Sequence, residues 1–126
     1  DRNDRLAAME SVDVSQLEGR NLVIPARGSV ARKEFIGLIA RYGVLPNVVC
    51  ESSDVDTLYQ CVKGGLGISC MDKMIAKTID DPSVVYRDLI PEIKRQVCYG
   101  VLETHMSIPS VHQFLTFIEE FKAAQS

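Results

Sequence analysis

The apolar positions of this chain change period several times, and each change marks an element. The clearest unit is Asn21 to Gly43, NLVIPARGSVARKEFIGLIARYG. Leu22 to Ile24 is a short apolar run that Pro25 stops, because proline has no amide proton to give to a sheet. Phe35, Leu38, Ile39 and Tyr42 then recur at the i, i+3, i+4, i+7 spacing of one helical face. This predicts a helix with Ser29 as its N-cap and Gly43 as its end. Asn47 to Glu51 (NVVCE) reads as a second strand, and strand, helix and strand in succession imply parallel pairing.

Beyond that unit, Val55, Leu58 and Val62 mark a short helix behind the cap candidates Ser52, Ser53 and Asp54, closed by Gly64-Gly65. Leu66 to Cys70 reads as a third strand, with Gly67 where a neighbouring backbone or side chain comes close. Asp72 to Thr78 predicts a helix of about two turns that Asp81-Pro82 breaks. Ser83 to Asp88 reads as a fourth strand and Arg95 to Leu102 as a fifth, apolar enough for the centre of a sheet. Pro109 opens a last helix with the stripe Val111, Phe114, Leu115, Ile118 and Phe121. Asp1 to Arg20 follows no single period, so it reads as a polar lead-in with one short helix around Val14 to Leu17. The order is that of an α/β protein with a mostly parallel sheet flanked by helices.

A chain of 126 residues is the size of one domain with one core. With 46% hydrophobic and 25% charged residues it is neither disordered nor built to span a membrane, and no apolar run approaches the length a bilayer needs. A net charge of -3 with scattered Lys and Arg argues against a nucleic-acid surface on this segment. Cys50, Cys61, Cys70 and Cys98 form no CxxC pair and each lies in an apolar run. That predicts buried, inert, reduced thiols in a cytoplasmic compartment. A zinc site is not expected, since only His105 and His112 could complete a ligand set. The start, DRNDRLAAMES, has neither a signal-peptide pattern nor an initiator methionine and reads as the beginning of an excised fragment.

The candidate chemistry sits at Ala26-Arg27-Gly28-Ser29, between the first strand and the helix. Free amide protons, a hydroxyl and a guanidinium meet there at a helix N-terminus, whose dipole favours negative charge, so the turn is a candidate small-anion site. The competing reading is that Ser29 only caps the helix, worth about 1 kcal/mol, and that Arg27 is a solvated turn residue. Little supports catalysis. His105 falls at a strand end and His112 on the polar side of the last helix, and Gly64, Gly65 and Gly67 precede a strand, not the helix that a phosphate fingerprint requires. No catalytic residue, metal or cofactor is expected.

Three stretches together resemble the effector-binding region of LysR-type transcriptional regulators: LEGRNLVIP from Leu17, ARYGVLPNVV from Ala40, and SSDVDTLYQCVKGGLGISCM from Ser52 to Met71. The last carries the family's pattern of strand, short helix, glycine pair and GI in Val55, Leu58, Val62, Gly65, Gly67 and Ile68. The likeness runs from about Leu6 to Ala123. It implies a fold like the type 2 periplasmic binding proteins, in which two α/β lobes close around a small ligand. On that pattern residues 1–16 are an inter-lobe lead-in, 17–95 the second lobe, and 96–126 a strand and helix returning to the first lobe.

The resemblance further implies a small-molecule effector, and a homodimer or tetramer that touches DNA only through an N-terminal winged helix-turn-helix domain outside this chain. The family's second-lobe effector contact maps onto Ala26, Arg27, Gly28, Ser29 and Val30. A second contact maps onto Cys70 and Met71, although Met71-Asp72 departs from the Leu-Pro pair common nearby in the family. A peroxide-sensing branch carries a cysteine near the start of this helix, where this chain has Gly28-Ser29-Val30. The alternative reading is one lobe of an extracytoplasmic solute-binding protein, against which the cysteine content argues.

Overall fold

The computed structural model describes residues 2–95 and 98–125. The chain divides into two compact units, Asp1–Lys94 and Arg95–Ser126.

The first unit is built on two parallel strand pairs. Strand β1 (Ser11–Asp13) pairs with β4 (Asp88–Ile90), and β2 (Asn21–Pro25) with β3 (Asn47–Ser52). In the second pair the register slips by one residue between Leu22 and Val23, so that Val23 stands opposite Cys50 while Leu22 stands opposite Val48. Helix α1 (Val30–Arg41) connects β2 to β3. It buries Phe35, Leu38 and Ile39 in a core with Leu22, Ile24 and Val44. Tyr42, expected on the same face, caps the C-terminus and is exposed, because the helical period ends there and Gly43 turns the chain at φ 67°. Helix α2 (Val55–Lys63) buries Leu58, packs on β2 and β3, and ends at Gly64.

Several expected elements are shorter or differently placed. Leu66 to Cys70 makes only a parallel bridge, Ile68 to Leu22. The Val23 amide donates to the Ile68 carbonyl at 2.8 Å and the Ile68 amide to the Asn21 carbonyl at 2.9 Å. Gly67 is there for the foreseen reason: a Cβ would meet the Asn21 carbonyl oxygen at 2.5 Å. The helix over Asp72 to Thr78 shrinks to α3 (Lys73–Ala76). Ser83 to Arg87 is no strand, and pairing begins only at Asp88. Arg87 instead turns its guanidinium onto the carbonyls of Ala7, Met9 and Tyr86, so this segment is fixed by a side chain and not by a ladder.

The lead-in is the largest correction. It holds two 3-10 helices, Arg5–Ala8 and Val14–Leu17, on either side of β1, and Leu6, Val12, Val14 and Leu17 are core residues. The helix over Val14 to Leu17 stands where it was expected, capped by Asp13, whose carboxylate accepts the Ser15 amide at 2.9 Å. No single period marks the segment because elements of three and four residues alternate along it.

The second unit carries a 3-10 helix, Glu103–His105, and α4 (Pro109–Gln125). The fifth strand expected at Arg95 to Leu102 is not formed among its described residues; Gln96 and Val97 lie outside them. A strand needs a neighbour for its backbone groups, and within this unit the described segment meets α4 through side chains: Tyr99 donates to Glu119 at 2.8 Å and the Lys122 ammonium lies 5.1 Å from the Tyr99 ring centre. Tyr99, Val101 and Leu102 are exposed, not central in a sheet. On α4, Val111, Leu115 and Ile118 are half-buried while Phe114, Phe117 and Phe121 are exposed.

Candidate functional site

The turn from β2 into α1 is held by its neighbours and leaves its own polar groups outward. The Ala26 amide donates to the Ser52 carbonyl at 2.8 Å, which extends the β2–β3 pairing by one bond. Ser29 donates back to the Ala26 carbonyl at 3.3 Å. Gly28 sits between them at φ 93°, a left-handed conformation that a side chain would strain. Arg32, one turn into α1, donates to the Pro25 carbonyl at 2.9 Å and to the Glu51 carboxylate at 2.8 Å. Its guanidinium thereby fastens the end of β2 to the end of β3.

Ser29 occupies the N-cap position with extended backbone, but its hydroxyl makes no capping hydrogen bond. The amides of the first helical turn, which have no intrahelical acceptor, are thus not closed off by their cap. Arg27 is exposed, and among the described residues its guanidinium has no ion-pair partner. Unspent helix amides, a hydroxyl and an uncompensated cation therefore share one spot at the carboxyl end of two parallel strands. That combination can hold an anion.

Ala26, Arg27, Gly28, Ser29 and Val30 are contiguous and form this turn. Cys70 is half-buried and packs against the hydrophobic core, and burial pushes its thiol up to about 11. Met71 beside it is half-buried. The cluster Ser52, Ser53 and Asp54 resolves into a cap, with the Asp54 carboxylate accepting the Thr57 amide at 2.8 Å and the Thr57 hydroxyl at 2.6 Å. Two shallow depressions, of about 390 and 310 Å³, are lined by other residues: Gly100 to Phe114 in the second unit, and Asp4, Arg20 and Gly67 among others in the first. The turn itself is open surface.

Sequence reasoning missed Arg32. Its distance of seven residues from Pro25 and nineteen from Glu51 leaves no local signal. It also missed the anchor at the far end of α2, where Asp81 accepts from the Lys63 ammonium at 2.8 Å, from the Ser83 hydroxyl at 2.6 Å and from the Tyr59 hydroxyl. These donors, Lys63 first, hold the Asp81 carboxyl well below the usual range, and Asp81 in turn pushes Tyr59 up to about 12.

The cysteines depart from expectation. Cys50, Cys61 and Cys70 are half-buried and Cys98 is exposed. The sulfur atoms of Cys50 and Cys61 are 3.8 Å apart, a contact between β3 and α2 that their spacing does not announce. Among the described residues no three His, Cys, Asp or Glu side chains gather to hold a metal, and no helix is long and apolar enough to cross a membrane.

Known proteins place the chain. It is 28% identical over 96 residues to the HTH-type transcriptional regulator YfeR of Shigella flexneri, covering 76% of this chain and 31% of that protein. It is 26% identical over 120 residues to the transcriptional dual regulator GltC of Bacillus subtilis, covering 94% and 40%. The chain thus spans less than half the length of either relative. Among solved structures it resembles the regulatory domain of CcmR from Synechocystis PCC6803, solved in complex with 2-PG, with a TM-score of 0.60 at 23% identity over 65% of this chain and 39% of that one. That likeness is one of fold, the α/β, periplasmic-binding-protein-like fold of these regulatory domains. Residues 2–123 match the family model described as the LysR substrate binding domain, and the chain belongs to that family.

Proposed function

We propose that this chain senses a small anionic metabolite for a LysR-type transcriptional regulator, and that the metabolite docks against Ala26, Arg27, Gly28, Ser29 and Val30, flanked by Cys70 and Met71. The observation that carries this reading is the exposed Arg27 guanidinium, without an ion-pair partner among the described residues, beside an N-terminus whose N-cap hydroxyl does not cap. Arg32 supports it by fixing the turn, so little ordering is needed when an anion binds.

In this arrangement the open turn is one wall of a cleft. Residues 17–95 form the second lobe, 1–16 the lead-in and 96–126 the return to the first lobe. Ligand closes the two lobes and reorients a separate winged helix-turn-helix domain, the part that touches DNA, in a cytoplasmic homodimer or tetramer. YfeR and GltC, both transcriptional regulators longer than this chain, support that assignment. Family membership sets aside the reading as a lobe of a solute-binding protein, and the family is one of regulators and not of enzymes.

The test is Arg27→Ala with Ser29→Ala in the full regulator. Effector response in a reporter assay is expected to disappear while DNA binding in a gel shift persists. A response equal to wild type would remove these residues from the site.

A further inference from the structure

We propose that Cys50 and Cys61 form an oxidisable dithiol, which closes to an intramolecular disulfide when it meets a small disulfide of the glutathione type. The two sulfurs lie 3.8 Å apart, one on β3 and one on α2, and both residues are half-buried. A bond needs a separation of about 2.05 Å, and α2 is already packed on β3. Closure therefore joins two elements that are in contact, and its reach is about that of a side-chain rotation. The one-residue slip in the β2–β3 register is what sets Cys50 opposite Val23. The other cysteines are differently placed: Cys70 packs against the core, and Cys98 is an exposed residue of the other unit.

The chemistry balances without any further reactant. One thiol of the pair loses its proton to solvent, and the thiolate attacks a sulfur of the small disulfide, forming a mixed disulfide and expelling one small thiolate. The second protein thiol, deprotonated in turn, attacks the protein sulfur of that mixed disulfide and expels the second small thiolate. Two protein thiols are oxidised by two electrons, and one small disulfide is reduced to two thiols. Cys50 holds its proton more tightly than an ordinary thiol, first because of its contact with Cys61, so the reaction gains speed as the pH is raised. The proposal stands independently of the effector reading.

The experiment treats the native chain with excess oxidised glutathione, blocks remaining thiols with an alkylating agent, digests with trypsin and weighs the peptides. The peptide between Arg41 and Lys63 contains both cysteines and no other. It is expected two hydrogens lighter than the reduced form and without alkyl groups, while the Cys70 and Cys98 peptides carry alkyl or glutathione. In Cys61→Ser, Cys50 is expected to stop at the glutathione adduct. A native peptide carrying alkyl or glutathione on both thiols, or cross-links to Cys98 in place of the internal bond, would overturn the proposal. The same would follow if unfolding in urea left the selectivity unchanged, since the fold would then not be what brings the sulfurs together. The wild-type map decides even if the serine variant does not fold.

Discussion

Gly67→Ala puts the junction between the glycine-pair turn and the sheet to a direct test. An added Cβ would stand 2.5 Å from the Asn21 carbonyl oxygen and 2.9 Å from its carbonyl carbon, where comfortable non-bonded contact needs about 3.5 Å. Both partners are backbone, so no side chain can rotate away. The strand and the loop must part, and parting stretches the Ile68 amide bond to Asn21 at 2.9 Å and the Val23 amide bond to Ile68 at 2.8 Å. Two such bonds contribute about 1 kcal/mol each, and an orphaned buried amide costs about 1–3 kcal/mol; Val23 is fully buried. A loss of about 2–4 kcal/mol follows, in the range of other overpacked sites. At a urea dependence of about 2 kcal/mol per molar, the unfolding midpoint falls by about 1–2 M. Gly37→Ala is the control: it lies within α1 with nothing within 4 Å of the added carbon. Removing a glycine from a helix interior there is expected to stabilise by about 0.5–1 kcal/mol. Both are read by circular dichroism in urea. A Gly67→Ala midpoint within about 0.3 M of wild type would refute the steric argument.

Three other outcomes follow from the same geometry. Ser29→Ala should leave the melting temperature within about 1 °C, because its hydroxyl caps nothing, whereas Asp54→Ala should lower it measurably by removing a cap that is in use; equal losses would mean that Ser29 caps after all. The Asp81 cluster should make stability depend on pH at both ends. Asp81 has a depressed folded pKa, so its contribution is whole above the unfolded value of about 3.9 and is lost as pH falls from there through the folded value. Tyr59 has a raised one, so its contribution is whole below about 10 and is lost as pH climbs toward 12. Asp81→Asn should flatten the acid limb of a plot of melting temperature against pH, and an unchanged limb would contradict the assignment. Finally, Phe114, Phe117 and Phe121 on α4 leave apolar surface open to water. Light scattering should show self-association that triple replacement by serine weakens, and a monomer mass across concentrations would exclude it.

The legibility of the chain follows the length of its elements. Helices α1, α2 and α4 are long enough to show a period, and the caps and glycines that bound them are local chemistry, so Ser29, Asp54, Gly43 and Gly64 stand at the expected ends. The strands β2 and β3 were legible for the same reason. Segments with the composition of a strand but without a neighbour were misread: Ser83 to Arg87 is tied down by Arg87, and the described part of Arg95 to Leu102 by Tyr99. Pairing is decided by what lies alongside, which a single run of residues does not carry.

By itself the sequence determined the parallel β2–α1–β3 unit, the glycine at position 67, and the turn at Ala26 to Val30 that carries Arg27 into the N-terminus of α1. The strand composition, helical period and turn residues that mark them are local, although the contacts they serve, Gly67 against Asn21 and β2 beside β3, are not. Only the tertiary structure decided that the lead-in belongs to the core, that Arg32 spans from Pro25 to Glu51, that Asp81 anchors α2, and that Cys50 meets Cys61. These contacts join positions from seven to nineteen residues apart or more. The Arg32 and Cys50–Cys61 contacts exist because α1 and α2 pack on the same strand pair, the Asp81 anchor because a loop folds back onto α2, and no local period records where two packed surfaces will touch.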